Sequence, residues 1–204
     1  MNVYGTEQIR NVVLLGHGGA GKTTVAEAMA LITGVTKRMG KVADGNTISD
    51  YDKEEIKRQF SISTTLIPLE YQGENGPVKI NLLDTPGFFD FVGEVEEAIS
   101  VADAAIIVVN CKAGIEPGTE RAWEMCEKYN LPRLIFVTNM DDDHASYREL
   151  VVKPVSYTHL DVYKRQPRRK VAPAFFTAKA VESSCSFDSI AQGPAITVMV
   201  PGPM

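Results

Sequence analysis

Gly16-His17-Gly18-Gly19-Ala20-Gly21-Lys22-Thr23 is the stretch on which the fold of this chain turns. It has the spacing G-x-x-x-x-G-K-[ST], a pattern that acquires meaning only between a strand and a helix. Upstream, Asn11-Val12-Val13-Leu14-Leu15 is an apolar run suited to a strand buried on both faces. Downstream, residues 24–32 predict a helix that stops at Gly34. Strand, glycine loop and helix N-terminus together form a phosphate cradle. The glycines let backbone N–H groups close on phosphate oxygens, and the helix end adds partial positive charge. Residues Gly16, His17, Gly18, Gly19, Ala20, Gly21, Lys22, Thr23 and Thr24 are therefore candidate nucleotide contacts. Lys22 is expected to reach the outer phosphates, and the Thr23 hydroxyl is a candidate Mg²⁺ ligand. A glycine turn that binds nothing is the plain alternative, and the intact context argues against it.

Working outward, the rest of the chain alternates. Residues 64–71 and 78–83 predict two strands joined by Gly73-Glu74-Asn75-Gly76, a hairpin signal. Residues 91–102 and 116–129 predict amphipathic helices, with Trp123, Met125 and Cys126 of the second assigned to the core. Residues 104–109 and 134–137 predict buried strands. Strands alternating with helices imply an α/β fold, a mostly parallel sheet covered on both faces, with the hairpin supplying one antiparallel edge. Residues 34–63 are long, polar and irregular, which predicts either a lid or a disordered loop.

Two further motifs fall at strand ends. Asp84-Thr85-Pro86-Gly87 follows the second hairpin strand. A carboxylate there can hold Mg²⁺ through water, and the Gly87 N–H can meet a γ-phosphate. The same four residues also suit an ordinary turn. Thr138-Asn139-Met140-Asp141 follows the strand at 134–137. An aspartate at Asp141 can accept hydrogen bonds from the N1–H and exocyclic amine of guanine, a pairing that adenine lacks. The run Asp141-Asp142-Asp143-His144 also fits a metal cluster, although acidic residues opening a helix explain it without a ligand. The phosphate loop by itself does not separate ATP from GTP.

The chain has 204 residues, 44% hydrophobic and 23% charged, enough for one α/β domain with or without a tail. A formal net charge of −5 argues against a nucleic-acid-binding face in this segment. Cys111, Cys126 and Cys185 are widely spaced with no CxxC, which suggests neither zinc nor a disulfide framework. No apolar run is long enough to span a bilayer and no export signal follows Met1, so the expectation is a cytoplasmic protein.

With these pieces in place, residues 1–154 resemble the N-terminal G domain of elongation factor G and its paralogues among the translational GTPases. The resemblance is carried by GHGGAGKTT (16–24), GNTISDYDKEEIKRQFSIST (45–64), DTPGFFDFVGEVEEAI (84–99), VADAAIIVVN (101–110) and LPRLIFVTNMD (131–141). It implies a P-loop NTPase G domain, GTP and GDP with Mg²⁺ as cofactors, GTP hydrolysis, and the ribosome as partner. Residues 45–64 then correspond to the family's first switch loop. Arg58-Gln59-Phe60-Ser61 stands where the family has Arg-Gly-Ile-Thr, which makes Ser61 a third candidate Mg²⁺ ligand beside Thr23 and Asp84. The implied guanine contacts are Thr138, Asn139 and Asp141, and the implied catalytic set is Lys22, Gly87 and the residue after it.

Three departures from the family pattern matter. Phe88 replaces the histidine that orients the attacking water, Gly19 replaces an aspartate of the phosphate loop, and Thr138-Asn139 replaces Asn-Lys of N-K-x-D. A phenyl ring neither accepts nor donates a hydrogen bond to water. The expectation is a slow or differently triggered GTPase, or a switch module that binds nucleotide with little hydrolysis.

Residues 155–166 match no family element. They resemble the translation of two transposase-end adaptor sequences joined back to back, as used in sequencing libraries, which implies a chimeric junction. On that reading the G domain is partial and C-terminally truncated at 154. Residues 155–204 are then an unmatched tail, expected to be disordered, and the chain is a fragment that leaves a sheet edge uncovered, a non-functional chimeric fragment being the further alternative.

Overall fold

A computed structural model describes residues 3–73 and 76–140, together with the backbone of 198–199. Strand β1 (Ile9–Leu15) runs into the glycine loop and helix α1 (Lys22–Ile32). After a long connection containing α2 (Lys53–Arg58) come β2 (Thr65–Gly73) and β3 (Gly76–Asp84). The chain then alternates through α3 (Val92–Ser100), β4 (Ala104–Asn110), α4 (Pro117–Lys128) and β5 (Arg133–Thr138). A two-residue β6 (Val198–Met199) completes the order β2-β3-β1-β4-β5-β6. Every pairing is parallel except β2 with β3, so the hairpin is the antiparallel edge that its turn signal predicts.

The two faces of the sheet separate by residue parity, as the two-residue repeat of a strand requires. Val12, Leu14, Ile106 and Val108 pack with Leu82, Ile67 and Leu69 under Val25, Ala26 and Ala30 of α1. Val13, Leu15, Ile107 and Val109 pack on the other face against Ala98 and Ile99 of α3 and Ala122, Met125 and Cys126 of α4. Burial on both faces explains why β1 and β4 read as unbroken apolar runs. Each fully buried Leu or Ile contributes about 1.5–3 kcal/mol relative to leaving it in water. Cys111 and Cys126 are buried, and burial pushes the Cys126 thiol up to about 11. Among the described residues no helix is long and apolar enough to cross a membrane.

One expectation needs correction. Of the two readings of the connection over 34–63, a lid or a disordered loop, the disordered loop does not hold. It carries a 3-10 turn at Val42–Asp44 and helix α2, whose N-cap Asp52 forms a capping box with Glu55. The D-x-x-E spacing of that box stands in the sequence, inside the polar run that masked it. Most of the tail, 155–204, including the adaptor-like stretch, lies outside the described residues. At Val198–Met199 the backbone pairs with Ile135 and Phe136 of β5. An unpaired parallel edge offers a row of free N–H and C=O groups, and a short extended apolar segment satisfies them.

Candidate functional site

The glycine loop owes its shape to the strand beside it. Gly16 has φ +139°, and a Cβ there would strike the Val108 carbonyl, so a side chain at this position would push β1 away from β4. Gly21 closes the loop at φ +94° and hands the chain to α1. Lys22, the first helical residue, folds back under the loop. Its Nζ donates to the carbonyl oxygens of Gly16 (3.1 Å) and His17 (3.0 Å). Burial pulls its pKa down to about 8, against the opposing pull of Asp84, Asp50 and Glu116. Thr24 is exposed in the first turn of α1, and Gly19 is exposed at the loop tip. The His17 ring packs against α4, its Nε2 3.6 Å from Glu116 Oε1, and stands edge-on to Phe89.

Asp84 ends β3 beside the loop because β3 is hydrogen-bonded to β1, with Leu14 opposite Asp84. The Thr85 hydroxyl donates to the Leu14 carbonyl and pins the turn that follows. Asp84 is 1% exposed and accepts from the Thr23 hydroxyl at 2.9 Å. Burial pushes its pKa up to about 6, although Thr23 and Lys22 both favour its charged form. Gly87 lies directly over the loop, where a Cβ would meet Lys22 Nζ and the Gly18 backbone. Phe88 follows, half-exposed, with its ring against Gly18 on one side and 4.8 Å from the Phe60 ring on the other.

The polar connection reaches the same place. The Ser61 hydroxyl is 3.3 Å from that of Thr23 and donates to Asp50 Oδ1 at 2.7 Å. Asp50 is 4% exposed, and burial raises its pKa. Thr23, Ser61, Asp84 and Asp50 therefore form a chain of hydroxyl and carboxylate oxygens. Asp84 Oδ1 and Asp50 Oδ2 are buried with no hydrogen-bond partner among the described residues. An all-oxygen set with free acceptors suits a hard divalent cation. Among the described residues no cluster of three or more His, Cys, Asp or Glu side chains stands ready to hold a metal. A cation here would thus depend on hydroxyl and phosphate oxygens as well.

At the end of β5, the Thr138 hydroxyl donates to the Ala20 carbonyl of the glycine loop at 2.8 Å and lies 3.3 Å from the Val109 carbonyl. Asn139 takes φ +54°, a conformation that asparagine tolerates better than most residues. Asp141 and the acidic run behind it lie outside the described residues. The structure thus gathers Gly16 to Thr23, Ser61, Asp84, Gly87, Phe88 and Thr138 around one loop.

Sequence reasoning missed three buried carboxylates that hold the connection over this loop. Glu27 of α1 accepts from Gly40 N (2.8 Å) and Ile48 N (2.5 Å). Glu55 accepts from Ile62 N and Ser63 N at 2.9 and 3.1 Å. Asp50 is the third. The signal for Glu27 was a lone carboxylate inside the otherwise apolar run Val25-Ala26-Glu27-Ala28-Met29.

Comparison with known proteins agrees with this geometry. The chain is 40% identical over 141 residues to an elongation factor G-like protein of Mycobacterium tuberculosis (strain CDC 1551 / Oshkosh), covering 69% of this chain and 19% of that protein. It is 39% identical over 146 residues to a mitochondrial ribosome-releasing factor 2 of Drosophila willistoni, covering 72% of this chain and 19% of that one. A crystal structure from Thermus thermophilus superposes with a TM-score of 0.68 at 41% identity, over 73% of this chain and 22% of its own. The chain thus spans about a fifth of the length of these relatives. The family described as the elongation factor Tu GTP binding domain matches residues 7–191. With the glycine loop, Asp84 and Gly87 arranged as above, this chain belongs to that family of guanine-nucleotide-binding domains.

Proposed function

We propose that the chain is the Mg²⁺-dependent GTPase domain of an elongation factor G-like translation factor that works on the ribosome, and that it hydrolyses GTP slowly or on a different trigger from the housekeeping translocase. The observation that carries the reading is the convergence of two segments on the glycine loop: Ser61 beside Thr23, and Gly87 over Lys22. A triphosphate seated in the loop meets both segments at its outer end, which is how a switch senses the γ-phosphate.

In this reading Lys22 and the loop backbone hold the β- and γ-phosphates, while Thr23, Ser61 and Asp84 hold Mg²⁺, with Asp50 behind Ser61. Held by those residues, Mg²⁺ would supply positive charge to neutralise the phosphates. Gly87 offers its N–H to the γ-phosphate. Asn139 and Asp141 form the guanine side, and Thr138 holds the end of β5 against the glycine loop. Phe88 supplies no proton acceptor for an attacking water, and with Phe60 it lays an apolar surface over Gly18. That surface supports slow intrinsic hydrolysis.

Single-turnover hydrolysis of GTP by the full chain, with and without ribosomes, tests the proposal. Slow release of phosphate, with tight GDP binding and preference over ADP, is the expected result. Rates equal to those of an ordinary translocase overturn the role given to Phe88, and preference for ADP overturns the guanine assignment.

A further inference from the structure

We infer that Glu27 is a positioning residue that latches the polar connection over 40–48 onto α1, and so sets the preference of the site for triphosphate over diphosphate. Glu27 is 1% exposed on the helix that begins with Lys22 and Thr23. Its two carboxylate oxygens divide their work. Oε2 accepts from Gly40 N at 2.8 Å and Oε1 from Ile48 N at 2.5 Å, so one side chain grips both ends of the same loop. The fit is close: a Cβ on Gly40 would lie 2.7 Å from Glu27 Oε2 and 2.8 Å from both Asn46 O and Thr47 Cα. Buried charge-assisted hydrogen bonds to backbone N–H groups are among the stronger polar contacts in a protein, and cutting one leaves a buried group unpaired.

The grip is transmitted. Ile48 is followed by Ser49, whose carbonyl accepts from Thr65 Oγ1 at 2.9 Å, and by Asp50, which accepts from Ser61. Ser61 in turn meets Thr23, one helical turn before Glu27 on α1. The contacts form a closed circuit from α1 through the loop and back to α1, anchored at one end by Glu27 and at the other by Thr23. A diphosphate makes its contacts within the glycine loop, which this circuit does not need to build. A triphosphate with its cation also needs Ser61 and Asp50 in position. Loss of the Glu27 grip therefore acts on the triphosphate complex selectively. This inference rests on the reading that Ser61 serves the triphosphate-bound cation.

The test measures affinities of the full-length chain for GDP and for a non-hydrolysable GTP analogue, with Mg²⁺ present and with it chelated. In the Glu27→Gln variant one acceptor becomes an amide N–H₂ that faces a backbone N–H. Affinity for the analogue is expected to fall about tenfold in Mg²⁺ while that for GDP stays within about twofold, and tryptic cleavage at Lys41 is expected to accelerate. Gly40→Ala, which opens the same grip from the loop side, is expected to reproduce this pattern, and it serves if Glu27→Gln fails to fold. Equal weakening of both nucleotides, or no change in either, overturns the latch. Ser61→Ala separates the two layers. If it leaves the Mg²⁺ dependence of analogue binding unchanged, the cation reading fails; if it abolishes that dependence while Glu27→Gln and Gly40→Ala change nothing, the latch alone fails.

Discussion

The Phe88 ring rests on the backbone of Gly18: a methyl group built at Gly18 would lie 3.0 Å from two of the ring carbons. The two residues are complementary, since a side chain at 18 and a phenyl ring at 88 compete for the same space. Phe88 is also 4.8 Å from Phe60, whose ring is 6.3 Å from Phe91. Phe88 thus covers the loop at Gly18 and continues into a cluster of three aromatic rings from two segments, a surface that offers water no hydrogen bond.

Replacing that ring by an imidazole restores a hydrogen-bonding group without adding bulk. Phe88→His is expected to raise single-turnover GTP hydrolysis on ribosomes by about tenfold or more, since water-positioning groups in GTPases are worth orders of magnitude in rate. GDP affinity should stay within about twofold, because Phe88 is not a phosphate contact. Unchanged hydrolysis would show that another feature, such as Gly19, limits the rate.

Asp84 makes stability depend on pH in a specific direction. Its folded-state pKa is raised by burial from 3.8 to about 6, so the folded protein holds a proton that the unfolded chain has already released. The stabilising contribution of this group is therefore complete below about pH 4 and is lost as pH rises through 6, on the order of 3 kcal/mol in all. Denaturant unfolding without Mg²⁺ or nucleotide, compared between the natural chain and Asp84→Asn, isolates it. The variant is expected to gain relative stability by that order between pH 4 and pH 7. Lys22 behaves oppositely at the alkaline end: with its pKa lowered from 10.5 to about 8, its contribution grows as pH rises between those values.

The glycine loop, the antiparallel hairpin and the parallel core were legible because each depends on local chemistry: a fixed spacing, a turn signal, unbroken apolar runs. Asp84 and Gly87 were legible because strand ends beside a phosphate loop are where such groups must fall. The order within residues 34–63 was not. It depends on Glu27 and Glu55, carboxylates that meet backbone groups 7 to 21 residues away once the chain has folded. Composition there is polar because the buried partners are backbone N–H groups, and a polar composition is also what an unstructured loop has. The work done by Thr138 was hidden for a related reason. Its hydroxyl bonds a carbonyl 118 residues away, and no local pattern announces that contact.

Thr138 ties the end of β5 to the glycine loop through its bond to the Ala20 carbonyl. Thr138→Val keeps the shape and removes the donor, leaving that carbonyl unpaired in a partly buried site. A loss of about 1 kcal/mol of stability is expected. Affinity for GDP and for a GTP analogue should fall together by about fivefold, because the loop serves both. The ratio of GDP to ADP affinity should hold, because a hydroxyl spent on the loop reads no base. A collapse of that ratio in the variant, measured by competition binding, would make Thr138 a base contact instead.

Gly87 is the most constrained residue of the second motif. A Cβ there would enter the space of Lys22 Nζ and come within 2.7 Å of Gly18 N. The backbone nitrogen belongs to a loop fixed by Gly16 against Val108 and by Thr138 against Ala20, so it does not yield cheaply. Lys22 is the softer neighbour and moves first, out of its bonds to Gly16 and His17. A displaced ammonium loses its charge-assisted bond to phosphate, worth about 1.5–3 kcal/mol, so Gly87→Ala is expected to weaken GDP binding by roughly tenfold or more. Calorimetric titration of GDP checks this. Wild-type affinity would mean that the turn at 85–88 lifts away from Lys22 instead, and weakening confined to the triphosphate would assign Gly87 to the γ-phosphate alone.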